Sequence, residues 1–161
     1  SELKYAQRHG RTLATAVEAA LEVNQRTPRH QRTLSGKLQS TLETVDLKFA
    51  VMDRPDFAYP VQVIRIGDGL TLIALGSEAV VDYSLRLKAE LARIDGPAIW
   101  VAGYSNVYSG YIPSRRVLLE GGYEARSRPW QPDLEQRIVK TVHALVTKLA
   151  RSADSDSESK K

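Results

Sequence analysis

The sequence predicts an α/β fold: a layered mixed sheet with flanking helices. Three observations predict it. Helical and strand periodicities follow one another as helix, strand, hairpin, helix, strand, long loop and helix, the order expected of strands layered with helices. Residues 61–75 hold two apolar, β-branched runs around Asp68-Gly69, which is a hairpin signal. Residues 133–150 put Leu134, Ile138, Val142, Leu145 and Leu149 on one helical stripe. A chain of 161 residues can bury roughly 70% of its unfolded surface, so one core suffices without disulfides or metal to hold it.

Each element has a local reason. Residues 3–23 read as an amphipathic helix, with Leu3, Ala6, Leu13, Ala16, Val17, Ala20 and Leu21 near one stripe. Gly10 weakens its first half and Pro28 ends it. From Gly36 the helical period is lost and β-branched residues rise, so residues 38–50 read as a half-exposed strand. Residues 52–60, with two prolines and two aspartates, read as a loop. The hairpin 61–66 and 70–75 follows, then a helix over 79–91 with Val80, Val81, Ser84, Leu85, Lys88 and Leu91 on its flank. Gly96-Pro97 resets the chain before 98–102, a short apolar run that fits a buried strand. A loop rich in Tyr, Ser, Asn and Gly runs from Gly103 to Ser114, and an irregular stretch follows Gly121-Gly122 as far as Pro132. The terminal helix has Asp133 near its N-terminus. Residues 152–161 hold almost nothing to bury and are expected to be disordered.

Composition narrows the function. Without cysteine there is no disulfide framework, no thiolate zinc site and no thiol nucleophile. The net charge of +4 is spread along the chain, and the densest basic region (Arg26, Arg29, Arg32, Lys37) has no aromatic interleaved, which argues against nucleic acid as a partner. No apolar run reaches the length of a membrane-crossing helix, and the N-terminus lacks a signal-peptide core, so a soluble chain without a transmembrane segment is expected. No serine sits in a G-x-S-x-G elbow, and no glycine-rich loop has a phosphate-binding pattern. His9, His30 and His143 have no partner at metal-ligand spacing, so each reads as an ordinary helix or linker residue.

Two segments are left to carry chemistry. Gly76-Ser77-Glu78 follows the second hairpin strand, where ligands bind in layered α/β proteins. Glu78 is either a functional carboxylate there or a cap on the helix that begins beside it. The loop Gly103–Ser114 is long and polar, and Tyr104, Tyr108 and Tyr111 could line a pocket, donate hydrogen bonds or ligate a metal, or serve as rim packing.

Leu72-Ile73-Ala74-Leu75-Gly76-Ser77-Glu78, a helix, and then Val101 to Ser114 with Leu118-Leu119-Glu120-Gly121-Gly122-Tyr123-Glu124 resemble the neutral/alkaline (non-lysosomal) ceramidase family, closest to bacterial ceramidase-like proteins that lack its additional C-terminal domain. The resemblance covers about residues 60–126 well and residues 1–50 more loosely. It implies that residues 1–151 form the C-terminal portion of a ceramidase-like catalytic domain, with 152–161 as a tail. It also implies a zinc-dependent amidase that cleaves N-acylsphingosine to a fatty acid and a sphingoid base, a place in sphingolipid metabolism, and a secreted or periplasmic location. Zinc would be held by two upstream histidines, a glutamate that falls on Glu78 and a tyrosine that falls on Tyr111, with Tyr108 the alternative. A tyrosine beside the metal could also donate to the developing oxyanion.

Nothing in residues 1–161 matches the family's zinc histidines, and only 52–60 stands where the family often has a longer connection. The expected partners are therefore a lipid amide and the missing N-terminal part of the catalytic domain, in the same or another chain. The alternatives are a non-catalytic binding domain that keeps the fold, and an amidase acting on a non-sphingolipid substrate.

Overall fold

The computed structural model describes residues 2–26, 34–51, 53–92 and 96–158, with only the backbone at 24–26 and 153–158. It divides into two units, Ser1–Thr33 and Leu34–Lys161. The described residues of the first unit form one helix, α1 (Glu2–Arg26). Among the described residues of that unit nothing covers the expected stripe, and Leu3, Leu13, Val17 and Leu21 are exposed. The linker around Pro28, His30 included, lies outside the described residues.

The second unit holds the core. Its strands are β1 (Leu38–Leu47), β2 (Phe57–Ile66), β3 (Leu70–Leu75) and a short β4 (Glu78–Ala79). Helix α2 (Val81–Leu91) leads to β5 (Ala98–Ala102), a short β6 (Tyr111–Ile112), α3 (Arg115–Glu120), α4 (Tyr123–Arg126) and α5 (Leu134–Glu158). The main sheet has the order β1-β2-β3-β5, and β4-β6 forms a separate two-stranded sheet. The first three strands of the main sheet are antiparallel and β5 runs parallel to β3. A mixed sheet with flanking helices is what the sequence predicts.

Strand alternation gives the main sheet two different faces. Tyr59, Val61, Val63, Ile73 and Leu75 point one way and are fully buried with the helices. All five apolar residues named for the terminal helix join them: Leu134, Ile138, Val142 and Leu145 at 0% exposure and Leu149 at 6%. The pairing registers align the other face in three rows, Leu38-Ile66-Leu70-Ala98, Ser40-Ile64-Leu72-Trp100 and Leu42-Gln62-Ala74-Ala102.

The hairpin turn lies between 66 and 70 as expected, as Gly67-Asp68-Gly69, with Gly67 at a positive φ of 49°. A Cβ there would lie 1.9 Å from the Ser35 carbonyl oxygen, so only glycine fits. Several local expectations are corrected. β2 begins at Phe57, inside the expected 52–60 loop. Pro60 is tolerated because β3 ends opposite Val61, so only β1 flanks the strand at the proline. β1 ends at Leu47 rather than 50, with Phe49 making an isolated bridge to Trp130.

Helix α2 buries Tyr83 and Leu87, whereas Val81 and Leu85 from the expected flank are exposed. Tyr83 and Leu87 are also four residues apart, and the apolar body of the tyrosine decides which stripe turns inward. The run 98–102 is an edge strand rather than a fully buried one, and leaves Trp100 61% exposed. The last helix passes its expected end at 150 and continues to Glu158, into the segment expected to be disordered. Residues 151–158 contain no Gly or Pro to stop a helix once it has nucleated. Residues 159–161 lie outside the described residues.

The two α2 stripes predict different mutational costs. Leu87→Ala should lower unfolding free energy by about 2–5 kcal/mol through cavity formation. Leu85→Ala, at 64% exposure, should stay within about 0.5 kcal/mol of the parent in urea denaturation.

Candidate functional site

The site is built where β3 runs out. After Leu75 the chain turns through Gly76-Ser77, and Ser77 adopts φ 56°. A Cβ on Gly76 would lie 2.8 Å from Val107 Cγ1, so a glycine lets the returning loop close over the turn. The loop is tied down by its backbone: Ser77 N donates to Val107 O at 2.6 Å, Tyr104 N to Ser77 O at 2.7 Å and Ser105 N to Leu75 O at 3.0 Å. Tyr104 and Asn106 also have positive φ, 53° and 64°. Three non-glycine residues in this region within one loop pair is a concentration of strain of the kind found at functional sites.

The turn delivers β4 beside β6. They pair in parallel, with Glu78 opposite Tyr111 and Ala79 opposite Ile112. Glu78 N donates to Gly110 O at 3.0 Å and Val80 N to Ile112 O at 3.2 Å. Residues in register on adjacent parallel strands project to the same side, about 4.8 Å apart. Glu78 is therefore a strand residue and not the helix cap that was the alternative, since α2 begins at Val81 with Val80 as its N-cap.

Electrostatics record the convergence. The phenol of Tyr111 is held above its ordinary pKa by desolvation, then by the negative charge of Glu78 and, further down, a hydrogen bond to it. Tyr104 is pushed up to about 12, chiefly because its phenol hydrogen-bonds Glu78. Tyr108 stands further out, 68% exposed, with its ring stacked on that of Tyr104 at 5.8 Å. The structure thus brings Tyr111 and Tyr104 to Glu78 and puts Tyr108 one ring away. Sequence reasoning named Tyr104 only among the three loop tyrosines and gave it no place beside Glu78, because its positive φ folds it back onto a turn 27 positions earlier. Tyr123 packs edge-on against Tyr111 at 5.5 Å.

The core supports this arrangement through three buried aromatics with polar tips. Tyr59 Oη donates to Gly76 O at 2.8 Å, Tyr83 Oη to Pro113 O at 3.1 Å and Trp130 Nε1 to Tyr111 O at 3.0 Å. Burial raises both tyrosine phenols far above their ordinary pKa, so they remain neutral donors. A cleft of about 510 Å³ opens beside the pair, lined by Glu78, Tyr111, Asp82, Arg116, Glu120 and Glu124 among others. On its wall Arg116 grips Asp82 with two hydrogen bonds, Nη2 to Oδ1 at 2.8 Å and Nε to Oδ2 at 3.0 Å. Buried Ser114 donates to Asp82 Oδ2 at 2.5 Å and caps α3 by accepting from Val117 N at 3.1 Å.

Histidine plays no part in this cluster among the described residues. His143 faces Glu90 at 2.6 Å across α2 and α5, and His9 lies in α1. No group of three or more His, Cys, Asp or Glu side chains that could hold a metal occurs among the described residues. No described helix is long and apolar enough to cross a membrane.

The fold is ceramidase-like. The chain superposes on a ceramidase complexed with C2 at a TM-score of 0.57 and 16% identity, over 76% of this chain and 31% of that one. It superposes on the neutral ceramidase of Pseudomonas aeruginosa at 0.56 and 17% identity, over 76% and 30%. The chain thus spans less than a third of the length of these structures. The sequence matches no protein-family model and no curated protein.

Two predictions test the site's construction. Ser77→Gly should raise stability by about 1 kcal/mol in denaturant titration, because it relieves a left-handed non-glycine residue and removes a buried hydroxyl that has no hydrogen-bond partner. The second concerns acid. The Arg116 hydrogen bond, then the Ser114 hydrogen bond, hold the Asp82 carboxyl below its ordinary pKa of 3.8. A depressed folded pKa contributes stability that is complete above the unfolded value and lost as pH falls through the folded one. Asp82→Asn should therefore be less stable near neutrality and show a shallower acid limb than the parent in unfolding measured from pH 7 to pH 2.

Proposed function

We propose that this chain is part of a zinc-dependent amidase of ceramidase type, to which it contributes two oxygen ligands, Glu78 and Tyr111. The observation that carries the reading is the parallel register of β4 and β6, which sets a carboxylate and a phenol side by side at the edge of a cleft. Such a pair fits two corners of a zinc coordination set. The remaining corners need donors that the described residues do not bring to the cluster. Zinc bound there would bring the pKa of its water toward 7 and polarise an amide carbonyl.

The chain's own residues have definable work. Tyr104, whose phenol is raised by its interaction with Glu78, stands where it can orient that carboxylate, as outer partners of metal ligands do. Trp130 fixes Tyr111 through the backbone carbonyl, so the phenol is positioned by the core and not by a mobile loop. Tyr123 packs edge-on against the Tyr111 ring, and a phenol in this cluster can donate to a developing oxyanion. The stacked Tyr104 and Tyr108 rings offer an apolar rim for an acyl chain. A lipid amide is the substrate class this supports, N-acylsphingosine first among them.

The test uses this chain together with the polypeptide supplying the remaining ligands. Glu78→Ala and Tyr111→Phe should each lower zinc content or amide turnover by roughly 100-fold or more, and Tyr108→Phe should be milder. Across an acyl-length series on the parent, affinity should grow by about 0.8 kcal/mol per buried methylene. Full zinc content and turnover in both ligand variants would remove Glu78 and Tyr111 from the metal site and leave this chain a non-catalytic binding part of the assembly. Turnover indifferent to acyl length would point to a non-lipid amide.

A further inference from the structure

The face of the main sheet turned away from α2 and α5 is apolar and uncovered. Its three rows contain no charged residue, and their polar members are Ser40 and Gln62 alone. Leu38, Leu42 and Trp100 are 67%, 50% and 61% exposed, and Ile64, Leu70 and Leu72 lie half-buried between them. A mainly antiparallel sheet can leave one face to water, but that face is then normally polar, and this one is not. Scattered exposed leucines need no explanation, but a continuous uncharged lattice across four strands does.

We infer that this face seats a second apolar layer of a ceramidase-like domain, carried by polypeptide corresponding to the part of that fold this chain does not span. The inference rests on the proposed function, and three observations select this occupant. The ceramidase structures are about three times as long as the stretch they share with this chain, so an equivalent domain has material to place there. Four strands about 4.8 Å apart and three rows about 6.6 Å apart give roughly 400 Å² in projection. A flat apolar patch of that extent suits a second layer packed about 10 Å away within one domain.

The third observation is continuity with the site. Asn106 Nδ2 donates to Gln62 Oε1 at 3.2 Å, and Gln62 Nε2 donates to Ser40 Oγ at 3.0 Å. The loop that carries Tyr104 and Tyr108 is thereby hooked to this face. A layer resting on the face abuts that loop, from where it can bring further ligands toward Glu78 and Tyr111. The one charge that β1 and β2 add to this face beyond the three rows is the acidic Asp46, which makes nucleic acid or an anionic surface a poor occupant.

The experiment mixes this chain with the polypeptide encoded directly upstream of it, and reads complex formation by sedimentation and tryptophan exposure by acrylamide quenching. Trp130 is 3% exposed, so Trp100 reports the face. The chain alone should be monomeric with a quenchable tryptophan; in the mixture a 1:1 complex should form and the quenching should be lost. Leu42→Lys and Trp100→Lys should weaken the complex at least tenfold while leaving the thermal midpoint of the chain alone unchanged, since both side chains are already exposed there. Glu78→Gln should bind like the parent. A complex that forms this way but neither binds zinc nor cleaves amides would sink the proposed function and leave the docking face standing. The inference is overturned if no complex forms, if both lysine variants bind normally, or if Trp100 is already protected in the isolated chain, as a monomer or a dimer.

Discussion

The two-residue ladder between β4 and β6 is the constraint on which the candidate site depends. Glu78 and Tyr111 are 33 positions apart and are adjacent only because two short strands align them in register. Two residues of pairing cannot stabilise themselves in water. The ladder is held from below by Tyr59, Tyr83 and Trp130, whose rings fill the core and whose tips bind carbonyls at Gly76, Pro113 and Tyr111. Each of these side chains serves packing and polar satisfaction together, so the site inherits the rigidity of the core beneath it.

This support also accounts for the strain above it. Left-handed backbone at Ser77, Tyr104 and Asn106 costs on the order of 1 kcal/mol or more at each residue. It persists because the surrounding hydrogen bonds leave the loop no relaxed alternative that keeps them. Ser77 carries both an unfavourable φ and a hydroxyl with no partner, directly before Glu78. The local sacrifice places the carboxylate, and the energy comes from the apolar face buried under α5.

The two faces of the main sheet divide the labour. One face and α2 and α5 form a closed core that makes the Leu34–Lys161 unit self-supporting. The other presents leucine, isoleucine and tryptophan to solvent, and the site loop is hooked to it through Asn106. A candidate site that histidine does not join, among the described residues, and an exposed apolar sheet face occur in the same unit. The chain spans under a third of the length of the ceramidase structures it superposes on.

The sequence by itself determined the layered α/β class, the hairpin and the terminal helix, because period and turn chemistry are local properties. The stripe Leu134, Ile138, Val142, Leu145 and Leu149 was legible residue by residue. Glu78 and Tyr111 were reached through a resemblance in motif, and spacing alone left Glu78 open between a site residue and a helix cap. Only the tertiary structure decided that question, together with the choice of Tyr83 over Leu85 for burial, the strands β4 and β6, and the approach of Tyr104 to Glu78. A two-residue strand has no periodicity to read, and a residue with positive φ turns its side chain where no linear pattern points. Both exist because of contacts made across the fold, and those contacts are absent from any window of sequence.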